Sequence, residues 1–315
     1  MSDGEQKKAI VRNFFEEVWN KGNLGHIDEV YKEDFRLNAL WQNTSLGGSG
    51  TAEGRETAKE VIGRWLDGFP DMHVTVDEQV NEGDFVATQH SATGTHTKDF
   101  MGIPATNKGG TITGITITRV PDDQIAEAWT CWDAAGMMMQ LGVIPLPPGA
   151  DAEPGVPRPF DPDADARADP EETKRVVQRF YDELWTQGKL EVADELFAPD
   201  FVGHAPGGGT RGPEGVKRLV AEWRDGVPDM VLEIHAQHAE GCRVATRFTG
   251  RGKQTGTLLG VPATGKDASL SGIAITRVVD GQVISDWGEF DVVGMFAQLG
   301  VAPPGAGAPA GAQQD

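Results

Sequence analysis

Cysteine, basic residues and long apolar runs are all scarce in this sequence, and each shortage removes a class of protein. Only Cys131 and Cys242 occur in 315 residues. They stand at unmatched places in the repeat described below, so no disulfide framework is expected and a reducing cytoplasm suits the chain. Lys and Arg number 28 against 48 Asp and Glu, a formal net charge of −20. Phosphate backbones and anionic membranes are bound by clustered basic residues. Neither nucleic acid nor membrane is therefore an expected partner, and a small neutral or cationic ligand fits better.

No apolar stretch approaches the ~18 residues of a spanning helix. The opening MSDGEQKKAIVRNFFEEVW has acidic residues where a signal peptide has a continuous apolar segment. A cytoplasmic protein is expected. Several chemical signatures are also missing. No Ser-His-Asp pattern or nucleophile elbow is visible. Gly47-Gly48-Ser49-Gly50 fails as a dinucleotide fingerprint because Glu53 stands where the third glycine belongs. His235 and His238, three apart on an expected strand, point to opposite faces and make a poor metal pair.

What is present is a repetition. The stretch Gly102 to Gly142 returns at Gly260 to Gly300, 158 residues on, and the two agree at 20 of 41 positions. Each copy closes on a tryptophan and an aspartate four residues later, Trp129 with Asp133 and Trp287 with Asp291. Upstream, helical spacing of Ile10, Val11, Phe14, Phe15, Val18 and Trp19 predicts an amphipathic first helix over Lys7 to Asn20. A short helix over Leu24 to Tyr31 follows, and an extended stretch opens at Asp34-Phe35. The same grammar recurs with Trp185 matching Trp19, at an offset of 166. The difference is an insertion of eight residues in the first copy, between Asn38 and Gly54. It carries Trp41, a candidate lid over a pocket.

A further helix ends in each copy at Gly68 or Gly226, read as a C-cap before a Pro-Asp turn. Four antiparallel strands come next, with Asp122-Asp123 and Asp280-Gly281 as the tight turn before the last. Helices followed by a sheet meander predict an α+β layer fold. The expected domains are 1–145 and 171–302. A Pro- and Asp-rich linker over 146–170 and a disordered tail over 303–315 complete the plan.

Gly94-Thr95-His96, Gly102-Ile103-Pro104-Ala105-Thr106, the Trp129 strand, Asp133 and Gln140-Leu141-Gly142 occur in one order. Both halves thereby resemble the SnoaL-like polyketide (ester) cyclases of the NTF2-like superfamily. The resemblance implies two cones, each a curved antiparallel sheet whose concave face, closed by the N-terminal helices, holds an apolar pocket. It also implies an aspartate acting as acid/base on a polyketide carbonyl, with no metal or cofactor, at the places of Asp133 and Asp291. The fold hosts other activities too, among them epoxide hydrolases, isomerases and plain binding modules.

Strand alternation groups Trp129, Cys131 and Asp133 on one face, and Trp287, Glu289 and Asp291 on the matching one. If that face is the concave one, the tryptophans are pocket wall and desolvation raises each aspartate toward a useful pKa. The alternative is that each aspartate N-caps the helix after it. Glu289 either shares a site with Asp291 or finds an arginine or water, while Cys131 reads as a small buried hydrophobe. His96 resembles the family's histidine before the Gly-x-Pro turn, which orients or protonates substrate, but its counterpart is Gln254. Asn38, on a strand the family uses to line its pocket, faces His204 in the other copy. His90 corresponds to Phe248, which favours packing.

The expected function is acid/base cyclisation or isomerisation of a hydrophobic carbonyl intermediate. Epoxide opening or non-catalytic binding of a hydrophobic small molecule are the alternatives. The duplication further suggests an internal pseudo-dimer, with the chain a monomer or weak homodimer.

Overall fold

The computed structural model describes residues 2–40, 51–143, 165, 167–206 and 208–301. Those within 1–79, 84–154 and 291–315 form one compact unit, and those within 80–83 and 155–290 form another. Trp41 and most of the linker and tail lie outside the described residues.

The first helix, α1 (Asp3–Phe14), starts where Ser2 accepts a hydrogen bond from the Glu5 amide. It runs on through a π-helical stretch, Phe15–Asn20. A π turn inserts an extra residue per turn, and it brings Phe14, Phe15 and Trp19 to the same interior space. After α2 (Ile27–Val30) the chain enters β1 (Tyr31–Ala39), then β2 (Thr51–Glu53) and α3 (Arg55–Gly68). The meander is β3 (His73–Glu82), β4 (Phe85–Thr95), β5 (Gly109–Arg119) and β6 (Ile125–Trp132), closed by α4 (Ala134–Gln140).

The second copy repeats this plan. It comprises α5 (Pro170–Arg179) with its own π-helical stretch Phe180–Thr186, α6 (Val192–Leu196), β7 (Phe197–Ala205), β8 (Gly208–Arg211) and α7 (Gly212–Gly226). Then come β9 (Val231–Glu240), β10 (Arg243–Lys253), β11 (Asp267–Val279), β12 (Gln282–Phe290) and α8 (Val292–Leu299).

Each sheet has six strands, in the orders β2-β1-β6-β5-β4-β3 and β8-β7-β12-β11-β10-β9. The four expected strands are there. Two more, β1 with β2 and β7 with β8, extend each sheet, and β1 runs parallel to β6 as β7 does to β12. Asp122 and Asp123, like Asp280 and Gly281, have positive φ, as the tight turns before β6 and β12 require.

One expectation is corrected. Gly68 and Gly226 are the last residues of their helices rather than left-handed caps. Their absent side chain instead admits a neighbour, since a Cβ on Gly68 would meet Phe100 at 3.1 Å and one on Gly226 would meet Leu258 at 2.8 Å. The apolar helix faces cover the sheets: Val11, Phe14, Phe15 and Val18 join Phe35, Val86, Ile125 and Ala128 in one core. Val177, Tyr181, Leu184, Val216 and Val220 join Val244, Phe248, Ala274 and Val283 in the other.

Candidate active site

In the first unit the sheet and helices enclose a cavity of about 200 Å³. Strand β6 contributes Ala128, Thr130 and Trp132 to it, β5 contributes Ile112, Thr116 and Thr118, and β4 contributes His90 and Ala92. Phe15 and Trp19 close one side, and Ile62 and Trp65 of α3 another. Trp65 meets Trp132 edge-on at 5.0 Å and Tyr31 packs on Phe35 at 4.1 Å. Aromatic and aliphatic walls of this kind bind apolar ligands, with a few polar groups to fix orientation.

Those polar groups are His90 and the threonines. The His90 Nε2 lies 3.4 Å from Thr116 Oγ1, which lies 3.0 Å from Thr130 Oγ1, so the three form a short chain across the sheet. The ring sits 5.2 Å from Phe15. Its Nδ1 has no hydrogen-bond partner among the described residues. Burial pushes the imidazole down to about 4, because the charged form loses its water. His90 is therefore neutral at pH 7, with one nitrogen donating and the other accepting. Room for the ring comes from the facing strand: Gly114 lies opposite His90, and a Cβ there would stand 2.6 Å from the imidazole Cε1. In the second copy Gly272 faces Phe248 in the same way.

Because β6 presents Ala128, Thr130 and Trp132 inward, period-2 alternation turns Trp129 and Cys131 to the other face. This corrects the expectation that the Trp129 face is concave. Asp133 lies past the end of β6 and N-caps α4, its Oδ1 accepting from the Gly136 amide at 2.7 Å. Asp291 caps α8 through the Gly294 amide at 2.8 Å. Burial raises the Asp133 pKa, and the Gly136 amide works against that rise. Asp133 does not line the cavity.

His96 is fully buried against Phe69, at 5.1 Å, and its Nδ1 accepts from the Thr106 amide at 3.3 Å. Gln254 explains this arrangement: its Oε1 accepts from the Thr264 amide at 2.8 Å, and its Nε2 donates to the carbonyls of Gly256, Val261 and Pro262. Both side chains fasten the Gly-x-Pro loop, so exchanging one for the other preserves the anchor. Burial lowers the His96 pKa, which suits a neutral acceptor.

Asn38 and Trp129, and in the second copy His204, Trp287 and Glu289, lie on the sheet faces opposite the inward sets. Asn38 donates to Glu127 Oε1 at 3.0 Å and pairs in register with Trp129. His204 stacks on Trp287 at 4.5 Å, and the Trp287 indole donates to Glu289 Oε1 at 2.9 Å. Burial, and Arg211 nearby, lower the His204 pKa. The structure thus brings together His204, Trp287 and Glu289, and separately Asn38 and Trp129. It gathers none of these around the first unit's cavity. The residue that sequence reasoning set aside as packing, His90, is the one there.

A helix-covered, curved sheet of this order, enclosing an apolar cavity, is the α+β cone of the NTF2-like class. Residues 9–141 and 175–299 match the family described as SnoaL-like polyketide cyclase, and the chain belongs to that family as a tandem of two such domains. Among solved structures, TsrD from Streptomyces laurentii is 28% identical, covering 43% of this chain and 99% of its own, with a TM-score of 0.40. IdmH from Streptomyces antibioticus is 32% identical, covering 41% and 99%, with a TM-score of 0.37. An LEH-like epoxide hydrolase of M. tuberculosis is 21% identical, covering 41% and 90%, with a TM-score of 0.35. No curated protein matches the chain. Among the described residues no helix is long and apolar enough to cross a membrane, and no group of three or more His, Cys, Asp or Glu is placed to hold a metal ion.

Proposed function

We propose that the first domain carries out acid/base chemistry on a hydrophobic carbonyl intermediate, cyclising or isomerising it without a cofactor. The observation that carries this reading is His90, a neutral imidazole with a free Nδ1 on the wall of an apolar cavity. With the Nε2 proton directed at Thr116, Nδ1 accepts a proton from the carbon beside the substrate carbonyl. The enolate carbon then attacks a second carbonyl of the same molecule, and the imidazolium returns its proton to the new alkoxide. No electron leaves or enters, so the product is an isomer. The imidazolium is costly in this dry site on its own, but the enolate beside it supplies the compensating charge. Hydrogen bonds of Asp133 and Asp291 to the amides that follow support a capping role for both.

The test starts from compounds that co-purify with the full chain, identified by untargeted mass spectrometry. Incubation with fresh protein is expected to give a cyclic or rearranged product of unchanged mass. A compound that is bound but returned unaltered would make the domain a carrier instead.

A further inference from the structure

The interior face of the second sheet bears a group that the first lacks. Where the first domain has His90, Thr116 and Thr130, the second has Phe248, Ala274 and Gly288. Where the first has Ala128, the second has Asp286. In register Asp286 lies opposite Thr276, on the face that also carries Ala274 and Val278, and Thr276 Oγ1 donates to its Oδ1 at 2.6 Å. Tyr181 sits edge-on to Phe248 at 5.2 Å, close enough to Asp286 for the carboxylate charge to oppose ionisation of the phenol.

Two features set this aspartate apart from a satisfied core residue. Thr276 and Val244 are fully buried and Ala274 is 2% exposed, yet Asp286 and Phe290, on the same face, keep accessible surface. Open space therefore adjoins the carboxylate. Among the described residues Asp286 also has no ion-pair partner. Burial pushes its pKa up to about 6, and the Thr276 hydroxyl works against that rise. At pH 7.5 it is nonetheless ionised.

We propose that the second domain binds an apolar molecule carrying a protonated amine, with Asp286 as its counter-ion. An ionised carboxylate among apolar walls is costly while unpaired. An ammonium group offsets that cost and adds a charge-assisted hydrogen bond, which an alcohol or ketone of the same shape does not. The two domains would then differ in ligand class, a neutral carbonyl compound beside His90 and a cationic amine beside Asp286. This inference is independent of the first domain's chemistry.

The test is calorimetric titration of the full chain with 2-phenylethylammonium chloride and, separately, 2-phenylethanol, at pH 7.5 and pH 5. The amine is expected to bind at least tenfold more tightly than the alcohol at pH 7.5. That preference should shrink several-fold at pH 5, as the carboxyl is protonated, and disappear in Asp286→Asn at pH 7.5. Equal affinities for the two probes, or a preference that survives in folded Asp286→Asn, would overturn the proposal; the latter would place the amine on the acidic surface. If the variant does not fold, the wild-type comparison between the two pH values decides: an unchanged preference overturns the proposal and a lost one upholds it.

Discussion

Turnover by His90→Phe is expected to fall by about 10²–10⁴-fold, the range lost when a positioned general acid/base is removed. Phenylalanine is the substitution the chain itself makes at this place in its other copy, Phe248. There it packs opposite Gly272 as His90 does opposite Gly114, so folding should survive the change. Asp133→Asn is the comparison. Asparagine caps a helix about as well as aspartate, and Asp133 accepts the Gly136 amide rather than lining the cavity. Its turnover should stay within about tenfold of wild type. If the order is reversed, with Asp133→Asn inactive and His90→Phe active, the aspartate that the family resemblance singles out is the acid/base and His90 is a wall residue.

The second large effect concerns stability, and it runs in opposite directions in the two domains. His90 is held down at about 4 against an ordinary value near 6.5. The unfolded chain therefore binds the extra proton between those values. The stability tied to a neutral His90 is fully present above about pH 6.5 and is lost as pH falls toward 4. Asp286 is pushed up to about 6 from 3.8. Here the folded chain binds the extra proton, so stability is highest below about pH 4 and falls as pH rises through 6.

Each effect should amount to about 2 kcal/mol, somewhat less than the full shift implies because part of each side chain stays accessible. Urea denaturation of variant and wild type at matched pH isolates them, since the other histidines and carboxyls are common to both chains. His90→Phe should gain on wild type as pH drops from 7 to 4. Asp286→Asn should gain on wild type as pH climbs from 4 to 7. A difference independent of pH in either case would mean that the group titrates at its ordinary value.

The fold was legible because its signals are periodic and written twice. Repetition from Gly102 and from Gly260 fixes two domains, and the change from helical to alternating spacing after Met72 and Met230 marks where helices give way to sheet. Strand β1 was harder to read. Its stretch YKEDFRLNA is charged and only partly alternating, and pairing with β6, far along the chain, makes it a strand.

The concave face was misplaced for a physical reason. Alternation joins Asp133 to the face of Trp129 only if the strand continues through it, but β6 ends at Trp132, and Asp133 takes a capping conformation with φ −74° and ψ 78°. A face assigned to Asp133 therefore does not carry over to Trp129. A different signal pointed the right way: Thr116, Thr118 and Thr130 recur at even spacing, and Gly114 falls where a ring on the next strand needs room. Counted from Gly114, the inward set is Thr116, Thr118, Ala128, Thr130 and Trp132, with His90 facing the glycine. The contrast of His90 with Phe248 then marks a difference between the two inner faces.

The most direct measurement of the central claim, that ligand sits and reacts beside His90, is side-chain nitrogen NMR of the ¹⁵N-labelled chain titrated with the co-purified compound. The His90 signals would be assigned by their absence in His90→Phe. The compound should shift the His90 Nδ1 and leave His96 and His204 in place. Saturable binding with His90 unmoved, and shifts gathered at His204 or near Asp133 instead, would contradict it.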